Sequence, residues 1–346
     1  MTSPKPSAFS AFQNTAWVNI GARFMALVVV FLFFAIFVED GKFYTLRNLE
    51  NIIRQSAVYA TAALGMTFVI ITAGIDLSVG SIIALAVVVV AWTLNIEISD
   101  GVYFVHEYPV AAPLLACLLA IIAATLGGLF NGALIVRLKM VPFIVTLGTM
   151  GIIRGIAKGI ADERDIYPPE ETWIGGLMDP TLTSQHDSWM IFPAGVWILV
   201  LCIGVASFIL KYTRFGRHVY AVGSNEETAR LCGVPVGRTK LIVYALTGFF
   251  CALAGFMQFS YIGGVGQPTT GVMYELFVIA AVIIGGASFS GGEGSILGTI
   301  VGALIITILY MGGQQMGWPK WVQEMVIGGI IILAVAIDRL RHRKLA

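Results

Sequence analysis

The sequence predicts an all-α polytopic membrane protein: about ten transmembrane helices within one domain, residues 1–346, both termini on the cytoplasmic side. Three observations predict it. Charged residues are only 12% of the chain and apolar residues 58%, whereas soluble domains are about one quarter charged because charge coats their water-facing surface. Apolar runs of the length that crosses a bilayer recur from end to end. The 39 glycines often fall four residues apart inside those runs, a spacing that brings helix backbones close together in lipid. The formal net charge of +1 gives no general attraction to nucleic acid.

The runs lie near 22–38, 56–74, 77–96, 110–134, 141–157, 193–211, 240–261, 274–290, 294–313 and 321–338. The first follows Arg23 and continues into Glu39, Asp40, Gly41 and Lys42 with no small-residue cleavage site, so it reads as a retained helix. The second and third are joined by a short polar link, Gly74 to Ser78. The fifth carries Arg154 and ends in Lys158. Phe43 to Gln55 and much of 212–238 look amphipathic and are expected along the surface. Glycine ladders at 128/132, 151/155/159 and 294/298/302 mark close-packing faces.

Orientation follows from Lys and Arg in the short loops. Arg137 and Lys139, then Lys211, Arg214, Arg217, Arg230, Arg238 and Lys240, and at the end Arg339, Arg341, Arg343 and Lys344 place those segments inside. The opposite loops are acidic, with Glu97, Asp100 and Glu107, then Asp162, Glu163, Glu170, Glu171, Asp179 and Asp187 in the long outside loop 158–192. Lys42, Arg47 and Arg54 run against the rule.

Catalytic signatures are missing. The sequence holds no phosphate-binding GxxxxGK[ST] loop, no GxSxG elbow and no HExxH helix. Cys117, Cys202, Cys232 and Cys251 form no CxxC or zinc pattern, and His106, His186, His218 and His342 are expected in loops or tails, so neither metal nor cofactor is implied. Ionisable residues within the runs are the natural functional candidates. Asp76 is expected to cap the third helix and is compatible with lining a pathway. Glu275 begins the eighth run, Arg154 either snorkels or pairs with an acid, and Glu293 could cap the ninth. These charges sit at helix ends rather than mid-membrane, unlike the proton or sodium relay of a secondary transporter.

The most specific local feature is the inside loop 212–239. Ser224 with Glu227 three residues later reads as a capping box. Asn225 to Cys232 then makes about two helical turns, stopped by Gly233 and Pro235. Glu226, Glu227 and Arg230 fall on its exposed side. A helix this short is marginal alone, so its strong start and stop signals suggest a shape held for a partner.

These residues resemble a known family. Gly65-Met66-Thr67 through Gly74-Ile75-Asp76-Leu77-Ser78-Val79-Gly80-Ser81 is similar to the signature of ribose-type ABC importer permeases. So are Asn131-Gly132, Pro142 through Gly148, Gly223-Ser224-Asn225-Glu226 through Gly233-Val234, and Tyr274-Glu275-Leu276 through Ser290-Gly291-Gly292. The resemblance covers about residues 50–338. It implies a bacterial inner-membrane, multi-pass, non-enzymatic subunit that moves a monosaccharide or polyol by alternating access. Its implied partners are one or two ABC ATPase subunits, a periplasmic solute-binding protein and a second permease copy, either a homodimer or a paralogue. Ser224, Asn225, Glu226, Glu227, Arg230 and Gly233 would meet the ATPase. Phe68, Asp76, Ser78, Asn131, Phe143, Thr146, Arg154, Gln267 and Glu275 are the pathway candidates, with Thr149, Gln258 and Tyr261 as further polar or aromatic groups. Loop 158–192 is longer than the family pattern and could seat the binding protein. Related permeases for branched-chain amino acids or nucleosides are the nearest alternative. An intramembrane aspartyl protease built on Asp76 is a distant one, and a membrane scaffold another.

Overall fold

A computed structural model describes residues 16–170, 172–183 and 191–343; Glu171, His186, Asp187 and Lys344 lie outside the described residues. The chain is a helical bundle. Helix α1 is Ala16–Phe37, α2 Leu46–Ile71 and α3 Val79–Leu94. A small antiparallel hairpin follows, β1 Glu97–Ser99 and β2 Val102–Tyr103, then one turn of helix, α4 Phe104–Glu107. Next come α5 Ala111–Leu138, α6 Pro142–Ile160, α7 Ala194–Tyr212, α8 Arg214–Ser224 and α9 Glu226–Leu231. The last four are α10 Val236–Tyr261, α11 Tyr274–Ile284, α12 Ile296–Gln315 and α13 Lys320–Arg343.

Among the described residues five helices, α5, α6, α7, α10 and α12, are long and apolar enough to cross a bilayer. The fifth run, despite Arg154 and Lys158, is thus a full helix. Proline at its first position costs nothing, because the amide hydrogen there has no intrahelical partner.

Helix α10 is the hub, packed against α5, α2 and α3. Small residues make this approach possible. A β-carbon at Gly128 of α5 would collide with the Tyr244 carbonyl of α10, and one at Gly248 with the Ala124 carbonyl of α5. The 294/298/302 ladder packs likewise, with Gly298 against Gly285 and Gly302 against Ala281. The third ladder does not: among the described residues no atom outside its own stretch of helix lies within 4 Å of where a β-carbon would stand at Gly151, Gly155 or Gly159.

Several expectations need correction. Phe43 to Gln55 is not a separate surface segment, since residues from Leu46 continue without a break into the second run as α2. Its Asn48, Glu50, Ile52 and Gln55 are buried against protein, so polarity there reflects internal partners rather than water. The eighth run, expected over 274–290, is helical only to Ile284. Eleven residues rise about 16 Å, half the hydrocarbon thickness. His218 lies in helix α8 rather than a loop. Ser295, whose hydroxyl accepts the Gly298 N–H at 3.4 Å, caps α12 in place of Glu293.

Candidate functional site

The candidates gather at three places. The first is the α8–α9 corner. Thr213 caps α8 by accepting the Gly216 N–H at 3.1 Å. The cap of α9 is Asn225, not Ser224: its side-chain oxygen accepts the Thr228 N–H at 2.8 Å. Ser224 is instead the last residue of α8, so the capping box read from Ser224 and Glu227 starts one residue early. Asn at this position is the better cap because its extended backbone leaves the side chain facing the free amide hydrogens. Gly233 does stop the helix in the left-handed region, φ +81°.

Glu226 is bound by Lys240 of α10 at 2.6 Å and by Arg230 at 3.0 Å. The Lys240 ammonium, with Arg230 beside it, holds the Glu226 carboxyl below the usual carboxylate range. This pair braces α9 against α10. Glu227, Arg230 and Leu231 stay outside, with Leu231 88% exposed, the most exposed large apolar side chain described.

The corner is tied to the bundle through backbone. At Gly223 there is no room for a β-carbon, which would overlap the Ile71 carbonyl and stand 2.6 Å from the Gly292 nitrogen. Gly292 N–H donates to that same Ile71 carbonyl at 2.9 Å. The Tyr220 hydroxyl donates to the Gly294 carbonyl at 2.9 Å, and Phe215 of α8 stacks on Phe68 of α2 at 6.3 Å. Displacement of α8 therefore bears directly on two links, α2–α3 and α11–α12. Phe68 is fully buried in this contact. Sequence reasoning missed Gly223 as a joint, because its only signal is absence of a side chain.

The second place is the α2–α3 link. Asp76 Oδ1 accepts from the Ser78 N–H at 2.9 Å and the Ser78 hydroxyl at 2.6 Å. The amide it caps therefore precedes α3, and Ser78 itself occupies the N-cap position. Asn131 of α5 donates to Ser78 Oγ at 2.7 Å. All three side chains are fully buried, and among the described residues Asp76 Oδ2 and Asn131 Oδ1 have no hydrogen-bond partner. Thr146 of α6 donates to the Ile75 carbonyl at 3.2 Å, closing the cluster. Asp76, Ser78, Asn131 and Thr146 are thus brought together; Phe143, a neighbour in sequence, is exposed on α6.

The third place is the chain between α10 and α11. Among the described residues Arg154 forms no ion pair within 4 Å; it donates to the backbone carbonyls of Pro268, at 3.1 Å, and Thr270. Gln258 donates to Thr270 Oγ1 at 3.3 Å and accepts from the Tyr274 hydroxyl at 3.0 Å. Thr149 is buried on α6, Gln267 is half-buried, and Glu275 opens α11 beside Gly80.

Loop 158–192 is anchored by residues that composition alone did not single out. Glu50 accepts from the amides of Thr181, Leu182 and Thr183 and from the Thr183 hydroxyl. Arg54 donates to the Met178 carbonyl and lies over the Tyr261 ring at 5.2 Å. Ser260 bonds Gly175 and Met178. The positive charge of Arg54, an exception to the loop rule, is thereby used within the protein.

Comparison with known proteins agrees with this architecture. Residues 48–335 match the family described as the branched-chain amino acid transport system permease component. The chain is 36% identical to the ribose import permease protein of Haemophilus influenzae over 329 residues, 95% of this chain and 96% of that one. It is 39% identical to the ribose import permease protein of Bacillus subtilis over 292 residues, 84% of each. It is 36% identical to the galactose/methyl galactoside import permease protein of Escherichia coli over 344 residues, 98% of this chain and 99% of that one. No solved structure matches it. Similarity of this extent along nearly the whole chain, together with the helical bundle and the motifs in order, makes the chain a member of the ribose-type family of ABC importer permeases.

Proposed function

We propose that the chain forms the translocation path for a monosaccharide or related polyol, delivered from outside by a binding protein and driven by partner ATPases. As a permease of this family it is a multi-pass inner-membrane subunit and not an enzyme, and ATP is hydrolysed on a separate subunit. The observation that carries the coupling is the α8–α9 corner, an exposed helix end braced by Glu226–Lys240 and seated through Gly223 on two inter-helix links. Ser224, Asn225, Glu226, Glu227, Arg230 and Gly233 form the surface that receives the ATPase. ATP-driven closure there shifts α8, and the α2–α3 and α11–α12 links follow. In this reading the chain crosses ten times with both termini and the corner cytoplasmic, and loop 158–192 meets the binding protein.

Two copies pair across α6. Supporting this, Gly148, Gly151, Gly155 and Gly159 are open on one face while Val145, Thr146, Thr149, Ile153 and Ala157 are buried on the other. An open glycine ladder in lipid leaves a groove that a second helix fills well. The sugar branch is favoured over branched-chain amino acids because the relatives described above import ribose and galactosides.

The test is ATP-driven uptake by the chain expressed with its ATPase and binding protein. Ribose or galactose is taken up and leucine does not compete; leucine uptake in place of sugar refutes the assignment. Replacing Glu226 and Arg230 together leaves ATP hydrolysis running and uptake lost. A cysteine replacing Asn225 reacts with a thiol reagent from the cytoplasmic side alone, and reaction from outside overturns the orientation.

A further inference from the structure

Residues between α10 and α11 should, by length, be a simple outside turn. They are not. Gly266 packs against Ala91 near the end of α3, and Gly271 packs backbone to backbone on Gly80 near its start. Those two positions of α3 are eleven residues apart, about 16 Å along the helix. Five residues of helix would cover only about 8 Å, so the chain descends beside α3 in an open conformation. Both ends of the descent are conformational breaks. Gly263, Gly264 and Gly271 have positive φ, and so does Met273, φ +71°, a region that side chains with a β-carbon enter at a cost. Helix α11 begins only after this point and is half a membrane long.

Open backbone buried in apolar surroundings must have its polar groups satisfied. Here Arg154 does so, spending its guanidinium on the Pro268 and Thr270 carbonyls, while Gln258 takes the Thr270 hydroxyl. That explains an arginine in an otherwise apolar helix. One side of the segment is covered: Gly266, Pro268, Thr270 and Gly271 are buried. The other is not: Thr269 and Val272 are exposed. Irregular backbone at membrane depth does not face lipid; it is found where it lines water or protein. At the head of the segment a cavity of about 330 Å³ opens between Gly263, Gly264 and the outer loop residues Pro168 and Glu170.

We propose that the eighth crossing is broken, that its open half, Gly263 to Met273, borders the solute path, and that Thr269 and Val272 face the moving solute. The proposal rests on the permease reading above. Arg154 is a positioning residue that holds the open half against α6. Thr269 supplies a hydroxyl to a polyol; Val272 supplies an apolar contact.

The test is cysteine accessibility in the assembled transporter, with the four native cysteines replaced. Thr269→Cys and Val272→Cys, reconstituted in vesicles with the ATPase, are treated with a water-soluble, membrane-impermeant methanethiosulfonate. Both react, and their rates differ by about tenfold or more between nucleotide-free and ATP–vanadate-trapped states, as expected if the path changes which side it opens to. Leu201→Cys, exposed on α7, stays unreactive. Thr270→Cys is silent in the native background and becomes reactive when Arg154→Gln is added, a change that a merely destabilised bundle would not confine to this position. Silence of Thr269→Cys and Val272→Cys in both states overturns the proposal. So does a disulfide joining the Thr269→Cys positions of two copies, which would make this a subunit contact. Labelling needs no sugar, so a complex that fails to take up sugar refutes the sugar assignment and leaves this result standing.

Discussion

Gly223→Ala is the most discriminating perturbation of the coupling corner. The added β-carbon would overlap the Ile71 carbonyl and stand 2.6 Å from the Gly292 nitrogen, both backbone atoms. Ordinary contact begins near 3.4 Å, so the loop at Gly292 must retreat by roughly 0.8 Å and the Ile71 carbonyl by more. Overpacking of this kind costs about 1–3 kcal/mol. The Gly292–Ile71 hydrogen bond is lost in the same movement, adding about 1 kcal/mol. Together these disfavour the seated arrangement by about 2–4 kcal/mol, a factor of roughly 30 to 1,000. Intrinsic helix propensity acts the other way, favouring Ala over Gly by about 1 kcal/mol, so a loss cannot be ascribed to a weaker α8. The assay is ATP-driven uptake in membrane vesicles, measured beside ATP hydrolysis and the amount of chain in the membrane. Uptake falls at least about tenfold while the amount of chain changes less than about twofold, because the bundle core is untouched. Uptake at the unsubstituted rate would refute the reasoning that force passes through this joint.

Other outcomes follow from the same geometry. Asn225→Ala removes the α9 cap and destabilises it by about 1 kcal/mol, whereas Ser224→Ala changes little; hydrogen exchange of the Thr228 amide reads the difference. The Glu226 carboxyl is depressed by Lys240 and Arg230, so its contribution is present above the ordinary carboxylate pKa and lost as pH falls through its lowered value. The group is 41% exposed, so screening limits this to about 1 kcal/mol or less; thermal unfolding of the complex from neutral to acid pH, compared with Glu226→Gln, detects it. Asp76→Asn keeps the oxygen that Ser78 needs and replaces one that has no partner, so uptake stays within about threefold, while Asp76→Ala strands the Ser78 donors and loses about tenfold. Equal losses in both would mean that the second oxygen is used. Gly151→Leu fills the open ladder of α6 and weakens pairing of two copies, read by crosslinking in the membrane; unchanged pairing would move the subunit contact elsewhere.

Much of this protein is legible from composition and pattern, because a bilayer imposes a simple rule: long apolar segments become helices that satisfy their own backbone. All ten expected runs contain a helix, and seven of them match its ends to within about five residues, the first, second and eighth being the exceptions; the glycine stop at Gly233 follows from its conformational freedom alone. What pattern could not supply was partnership. Glu50 and Arg54 read as surface charges until the amides of Thr181 to Thr183 and the Met178 carbonyl are seen to bind them. The cap moved from Ser224 to Asn225 because α8 extends one residue further than the capping pattern allows.

The eighth run draws the line most clearly. Hydropathy makes residues 274–290 a membrane helix, since apolar content is a sum over residues and carries no information about direction. Only tertiary structure decided that the helix ends at Ile284, that the chain before it descends beside α3 in an open form, and that Arg154, more than a hundred residues earlier in the chain, supplies hydrogen bonds to that open segment. The sequence by itself therefore determined the class of protein, its membrane solvent and its resemblance to sugar permeases, all of which follow from local composition and contiguous motifs. Which glycines are joints, which acids are cornered and where a helix stops short depend on contacts between residues far apart in the chain, and those exist only once the helices pack.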